Sequence, residues 1–595
     1  MSRQFSSVLI ASMFLGVAVG MSGCSTQNVP AHDAAAVPPP PPPPSAPIDA
    51  LIEPSVKAAA SITAADQAMR KQRVEELAAH LNTPMYSVAG AASAPMDRMA
   101  SLRFAPPPSD SGENYADVKA NPVFVAAETP VSTFSVDVDT GSYSNVRRML
   151  NEGRLPPGDA VRVEELINYF DYAYAPPKDR STPFALHTEL GPSPWNPKTE
   201  LLAIGIQGWK PAAAASRPSN LVFLVDVSGS MNAPDKLPLV KASLKLLAGQ
   251  LTARDRISLV VYAGRTEVVL EPTPGDQTAT IVAALDRLEA GGSTNGAGGI
   301  QLAYAMAEKA FMKDGNNRVL LATDGDFNVG ISDVGQLKEL VETQRKGGVA
   351  LSTLGFGTGN YNDALMEQIA DVGNGHYSYI DSAREAQRVL VEERASALET
   401  IASDVKIQVE FNPALVAEYR LIGYENRVLR REDFNNDAID AGDIGAGHRV
   451  TALYEIARVG SGGEKVDALR YSKSAPAAAK SGELAHLKLR YKQPDEGVNA
   501  RSKLIERVIQ PGDAVTADKT SPAFKLAAAV AAYGQLLRGG EYTQTYALRD
   551  AAALASAAGI DQSSGRTAEF VELAKLAAGL KGEKVLVSND PHGAH

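Results

Sequence analysis

The sequence holds one cysteine and eight histidines in 595 residues. A single thiol excludes a disulfide framework, and so few histidines beside it exclude a cysteine-rich zinc ribbon. Basic charge is also short. Lys and Arg number 58 against 69 Asp and Glu, a formal net charge of -11. A nucleic-acid partner needs a basic surface to neutralise its phosphates, so that balance argues against one. Long apolar runs are missing too: the stretch from Phe5 to Gly20 covers about 16 residues, short of the roughly 20 a spanning helix requires. What remains is ordinary globular composition, 44% hydrophobic and 21% charged, which fits neither a wholly disordered chain nor a multi-span membrane protein. The length accommodates roughly three to four folding units.

The first residues read as an address. Arg3 precedes the short apolar stretch, and Met21, Ser22, Gly23 and Cys24 close it. A positive start, a short apolar centre and small residues at the end describe a secretory signal peptide over 1–23. The small pair Ser22-Gly23 before Cys24 resembles the bacterial lipobox. That resemblance implies cleavage before Cys24, acylation of the new terminus and attachment to a membrane, and Ser25 implies the outer membrane. Several acyl chains anchor durably, since each buried CH₂ contributes about 0.8 kcal/mol. Pro38 to Pro44 then form a run of prolines, a stiff spacer of about 3.1 Å per residue, inside a Pro/Ala-rich tether over 24–114.

From Leu221 onward, strand and helix patterns alternate. Leu221 to Val225 is a continuous apolar run, as expected of a strand buried on both faces. Leu237, Val240, Leu244, Leu247 and Leu251 then share one helical stripe, with Lys236, Lys241 and Lys245 off it. Further strands are expected at Ile257 to Tyr262, Val268 to Leu270, Val319 to Ala322, Val349 to Leu354 and Tyr377 to Ile380, with helices after Val268 to Leu270 and between the strands that follow it. This order predicts an α/β domain over 216–400, a doubly wound parallel sheet. Ligands of such sheets sit beyond the carboxyl ends of the strands, where strand order reverses. Three polar loops fall at that edge: Asp226 to Ser230, Gly291 to Asn295 and Thr323 to Asp326. Their hydroxyl and carboxylate oxygens suit Mg²⁺, Ca²⁺ or Mn²⁺ rather than zinc or copper.

At these residues the chain resembles the von Willebrand factor type A domain and its metal-ion-dependent adhesion site. The family's D-x-S-x-S pattern matches Asp226, Ser228 and Ser230, its isolated threonine matches Thr294, and its strand-end aspartate matches Asp324. The resemblance implies that Ser228, Ser230 and Thr294 ligate the metal directly, and that Asp226 and Asp324 do so directly or through water. It also implies a protein partner that completes the metal's shell with an Asp or Glu. Two carboxylates at most balance a divalent ion, which leaves it able to accept that outside carboxylate. The stretches Thr133 to Thr140, Arg162 to Phe170 and Ala322 to Asn328 are similar to the bacterial YfbK-type lipoproteins, from about residue 115 onward.

Other motifs lead nowhere catalytic. Asp139-Thr140-Gly141-Ser142 is similar to one loop of the aspartic proteases, but two are needed and no second copy exists. Asp137 and Asp139 follow an apolar run, as in aspartyl-phosphate phosphatases, without the downstream lysine and acidic pair. A strand-to-turn role suits them better. Gly355 to Gly359 lacks the spacing of a dinucleotide loop, and Gly291 to Gly299 lacks the lysine of a phosphate loop, so no nucleotide is expected. The chain therefore reads as a binding protein of the cell envelope, not an enzyme; the alternatives are a structural or chaperone-like envelope scaffold in which metal only stabilises the loops and, behind it, a metal-dependent hydrolase. Around the central domain we expect a β-rich extension with a helix (115–215), a β-rich domain (401–500), a helical region (501–585) and a polar tail (586–595). The order of elements further suggests that strands of 130–207 and 404–495 share a sheet, with the central domain inserted between them.

Overall fold

A computed structural model describes residues 112–179, 181–210, 217–293, 296–325, 334–467, 482–496, 500–560 and 564–583. The signal peptide, nearly all of the tether and the polar tail lie outside these residues. Ahead of the central segment come β1 (Phe124–Val125), β2 (Val131–Ser135), α1 (Gly141–Asn151), α2 (Val163–Asn168), β3 (Phe184–Pro192) and β4 (Glu200–Gly208).

The central segment then runs β5 (Ser219–Asp226), α3 (Leu237–Ala248), β6 (Arg256–Tyr262), β7 (Thr266–Pro274), α4 (Thr278–Asp286), α5 (Gly296–Lys309), β8 (Asn316–Thr323), α6 (Val334–Lys346), β9 (Ala350–Phe356), α7 (Asp363–Val372) and β10 (Tyr377–Ile380). The apolar run at β5 is a strand buried along its whole length, because it lies between β6 and β8 and both its faces are covered, Leu221, Phe223 and Val225 in one apolar cluster and Val222 and Leu224 in another. The six-stranded sheet has the order β10-β9-β8-β5-β6-β7. The all-parallel expectation needs one correction: β7 is antiparallel to β6. Only Ala263 to Arg265 separate the two strands, and a parallel return needs a crossover of a dozen residues or more. Leu237, Val240, Leu244 and Leu247 are buried on α3, while Lys241 and Lys245 reach outward to Asp286.

After this domain come β11 (Thr400–Phe411), β12 (Val416–Ile422), β13 (Ile444–Gly445), β14 (Arg449–Arg458), β15 (Ala485–Lys492), β16 (Lys503–Ile509), α8 (Pro522–Leu537), α9 (Leu548–Ala558) and α10 (Arg566–Leu580). The strands on either side of the central domain do share sheets. β2 pairs with β11 from Ser135 opposite Lys406 to Val131 opposite Glu410. β4 pairs with β14 along its length, and β1 with β12. Two sheets result, β1-β12-β14-β4-β3 and β13-β11-β15-β16, with β2 on β11. They face each other across Phe134, Leu202, Ile204, Val405, Ile407 and Tyr454. The boundary at 501 also shifts in meaning, since β16 precedes the helices and pairs with β15. As a half-exposed strand, β16 buries too little to leave a clear apolar pattern.

The packing divides the same way. Two apolar clusters of the central domain draw only on residues between Leu221 and Leu398. A third joins α1 and α2 to the distant α8, α9 and α10, so extension and C-terminal helices form one body. The seam between that body and the central domain is polar and buried. Arg147 meets Asp381 at 2.6 Å, and Asp139 accepts a hydrogen bond from the Tyr377 N–H at 2.8 Å. Gly141 is required there, because a Cβ would stand 2.2 Å from the Tyr377 ring.

Candidate functional site

The carboxyl ends of β5 and β8 lie side by side in mid-sheet, with β5 as the strand from which the order runs both ways. This is the position at which open α/β sheets bind ligands. Asp226 ends β5 and Asp324 directly follows β8; both are wholly buried.

Local turns aim the first loop. The Asp226 Oδ1 accepts from the Ser228 N–H at 2.8 Å, which turns the chain, and the Ser228 and Ser230 hydroxyl oxygens then stand 3.0 Å apart. The loop is pinned to its neighbour by backbone: Gly229 N–H donates to Gly292 O at 3.0 Å, and Gly291 N–H to Val227 O at 2.7 Å. The third loop is joined through Thr323, whose hydroxyl donates to Asp226 Oδ2 at 2.9 Å and accepts from the Gly325 N–H at 3.1 Å. Gly325 has φ +84°, and a Cβ there would stand 2.5 Å from the Asn362 nitrogen.

Asp226, Ser228, Ser230 and Asp324 are thus gathered at one edge. Thr294 and Cys24 lie outside the described residues. Three residues at the site were not singled out for it from sequence. Thr323 is one. Lys236 is another, with its Nζ 2.9 Å from Asp324 Oδ2, and Asn360 completes the group at 3.1 Å from the same ammonium. Nothing local in a sequence marks an off-stripe lysine as buried, so no signal pointed to Lys236.

The donor set fits a hard divalent cation. Two buried carboxylates stand behind a pair of hydroxyls, all oxygen, at the rim of the sheet. Among the described residues no group of three or more His, Cys, Asp and Glu side chains is placed to hold a metal, so a site here has to draw on the serine hydroxyls. Burial pushes the Asp226 carboxyl up to about 6, the nearby Asp324 adds to the rise, and hydrogen bonds from Ser228 oppose it. A carboxyl raised in the fold adds stability below its unfolded value near 3.8, and that contribution is lost as pH climbs through about 6. With a chelator present, Asp226→Asn is therefore expected to gain about 2–3 kcal/mol in urea unfolding at pH 7.5 and almost nothing at pH 4. An equal gain at both values would show that the carboxylate is not strained by burial.

Asp137 and Asp139 hold the fold together. The Asp137 carboxylate accepts from the Asp139 N–H at 2.9 Å, and Arg427 lies against both acids. His376 is buried beside His448, and burial holds its imidazole well below the usual range.

Three family models match the chain: "von Willebrand factor" over 109–203, "von Willebrand factor type A domain" over 220–392, and "Uncharacterized protein YfbK, C-terminal" over 396–580. The Uncharacterized protein YfbK of Escherichia coli (strain K12) is 48% identical over 474 residues, covering 78% of this chain and 81% of that protein. Human inter-alpha-trypsin inhibitor heavy chain H3 is 30% identical over 182 residues, 29% of this chain and 20% of that protein. Among solved structures, a von Willebrand factor type A protein from Catenulispora acidiphila aligns over 66% of this chain and 96% of that one, at 16% identity and a TM-score of 0.37.

Proposed function

Because the chain belongs to the YfbK family of bacterial von Willebrand factor type A proteins, we propose that its type A domain binds a protein partner through a divalent cation, Mg²⁺ or else Ca²⁺ or Mn²⁺, at the loops after β5 and β8. The observation that carries this reading is the pair of serine hydroxyls, 3.0 Å apart, in front of two fully buried carboxylates on neighbouring strand ends. Ser228 and Ser230 would hold the cation directly together with Thr294, and Asp226 and Asp324 would hold it directly or through water. The cation supplies a Lewis-acidic position for a partner's Asp or Glu.

Surface shape supports a partner at this edge. Two clefts of about 630 and 610 Å³ flank the segment Leu288 to Gly292. The first runs past Met231, Leu237 and Ala290, the second past Val227, Ala263 and Gly291. We place the protein in the cell envelope, lipid-anchored through Cys24 most simply on the outer membrane. Among the described residues no helix is long and apolar enough to cross a membrane. The role is binding, not catalysis.

Titration calorimetry of the full chain with Mg²⁺ tests the site. The wild type is expected to bind, and Asp226→Ala and Ser228→Ala to weaken binding by about 10- to 100-fold, since each removes a ligand or its positioning group. Equal binding by wild type and both variants would overturn the assignment.

A further inference from the structure

The two buried carboxylates of the site are not treated alike by the fold. Asp226 is met by neutral donors, the Ser228 N–H and the Thr323 hydroxyl. Asp324 is met by a cation, the Lys236 ammonium. This lysine is not a solvated surface residue. It sits just before α3 and is 6% exposed, with its ammonium held between Asp324 and Asn360. Its alkyl stem lies over Gly357, whose φ is +74° and where a Cβ would stand 2.3 Å from Lys236 Cγ. The backbone at the end of β9 is shaped around the lysine, so the charge has a fixed position among the strand ends.

Charge arithmetic then gives this residue a definite role. Two carboxylates and one ammonium leave the empty site at -1, against -2 without the lysine. A divalent cation brings these totals to +1 and 0. A fixed positive charge opposes entry of the cation and, once it is bound, favours an anion arriving from outside.

We propose that Lys236 is a built-in counter-charge that loosens the site's hold on its divalent cation and in return strengthens the loaded site's attraction for a partner's carboxylate. The proposal rests on the metal reading above and goes beyond it. Selectivity for an acidic partner segment is set by a protein cation as well as by the metal. Lys236 is accordingly a positioning and specificity residue, not a metal ligand. A mere structural tie would weaken both kinds of binding when removed. A counter-charge shifts them in opposite directions.

The test uses the full chain and two neutral variants, Lys236→Met, which keeps the stem, and Lys236→Gln, which keeps a donor toward Asp324. Calorimetry with Mg²⁺ alone is expected to show both variants binding about tenfold more tightly than wild type. In the second arm the proteins are loaded with Mn²⁺, and water-proton relaxation is followed as acetate is added. Acetate is expected to displace metal-bound water about tenfold less readily in the variants. Tighter Mg²⁺ binding with weaker acetate binding establishes the counter-charge. Unchanged or weaker Mg²⁺ binding in folded variants overturns it while leaving the metal site intact. If wild type and variants alike bind no metal, the metal reading and this proposal fall together. If neither variant folds, Lys236 is a structural tie and the proposal falls.

Discussion

Arg162→Met is expected to lower the unfolding free energy by about 3–5 kcal/mol at pH 8.5, read from urea denaturation. Arg162 is 1% exposed and faces three carboxylates. It is paired with Glu165 on α2 and with Asp363 on α7, and Glu367 lies at 3.7 Å. Its guanidinium also stacks over the Tyr377 ring at 5.6 Å. A buried ion network adds little net stability when complete, but removing Arg162 leaves Glu165 and Asp363 buried without this cation, while Glu367 keeps Arg427 at 3.8 Å. The pH dependence identifies the cause. Burial already pushes Glu165 up to about 8 and Glu367 to about 7, with Arg162 the largest opposing influence on each. Without it both rise further and protonate more readily, so the deficit is expected to shrink as pH falls from 8.5 toward 6. Pairing Arg162→Met with Asp363→Asn should recover part of the loss. A deficit independent of pH would point to lost packing instead.

Truncation after residue 481 is expected to unfold the flanking body while the central domain stays folded. The cut removes β15, which pairs with β11 from Ser403 to Phe411, together with the whole of α8, α9 and α10. Tyr143, Leu150, Leu166, Ile167 and Phe170 of the extension are buried in the same cluster as Phe524, Tyr533, Leu548 and Phe570. Exposing such side chains costs about 1.5–3 kcal/mol each, and a handful exceeds the net stability of about 5–15 kcal/mol available to a domain. The central domain keeps its own two clusters, so a fragment of residues 217–398 is expected to melt cooperatively alone. Amide hydrogen exchange on the truncated chain checks both halves: protection should persist in β5, β8 and β9 and vanish in β2, β4 and α2. Uniform protection, or uniform loss, would refute the division.

These two expectations mark where sequence reading reaches and where it ends. The central domain was legible because its evidence is local. β5 is an unbroken apolar run, α3 carries its stripe at helical spacing, and the polar residues of the site fall in loops directly after strands. In a parallel sheet the carboxyl ends of strands share one edge, so element order alone placed Asp226, Ser228, Ser230 and Asp324 together. The insertion of that domain was legible only as an order of elements. Which strand pairs with which, β2 with β11 and β4 with β14, is set by side-chain complementarity across gaps of more than 200 residues.

The scarcity of cysteine, histidine and basic charge and the three polar loops are properties of the sequence by itself, and they confine what those loops can offer a ligand to hydroxyl and carboxylate oxygens. Tertiary structure alone decided the environment of that chemistry. Lys236 and Arg162 look in sequence like other cations of a helix-forming stretch. They are buried counter-charges only because Asp324 in one case, and Asp363 with Glu367 in the other, are brought to them from distant elements. The worth of a charge depends on what surrounds it after folding, and no local pattern encodes that.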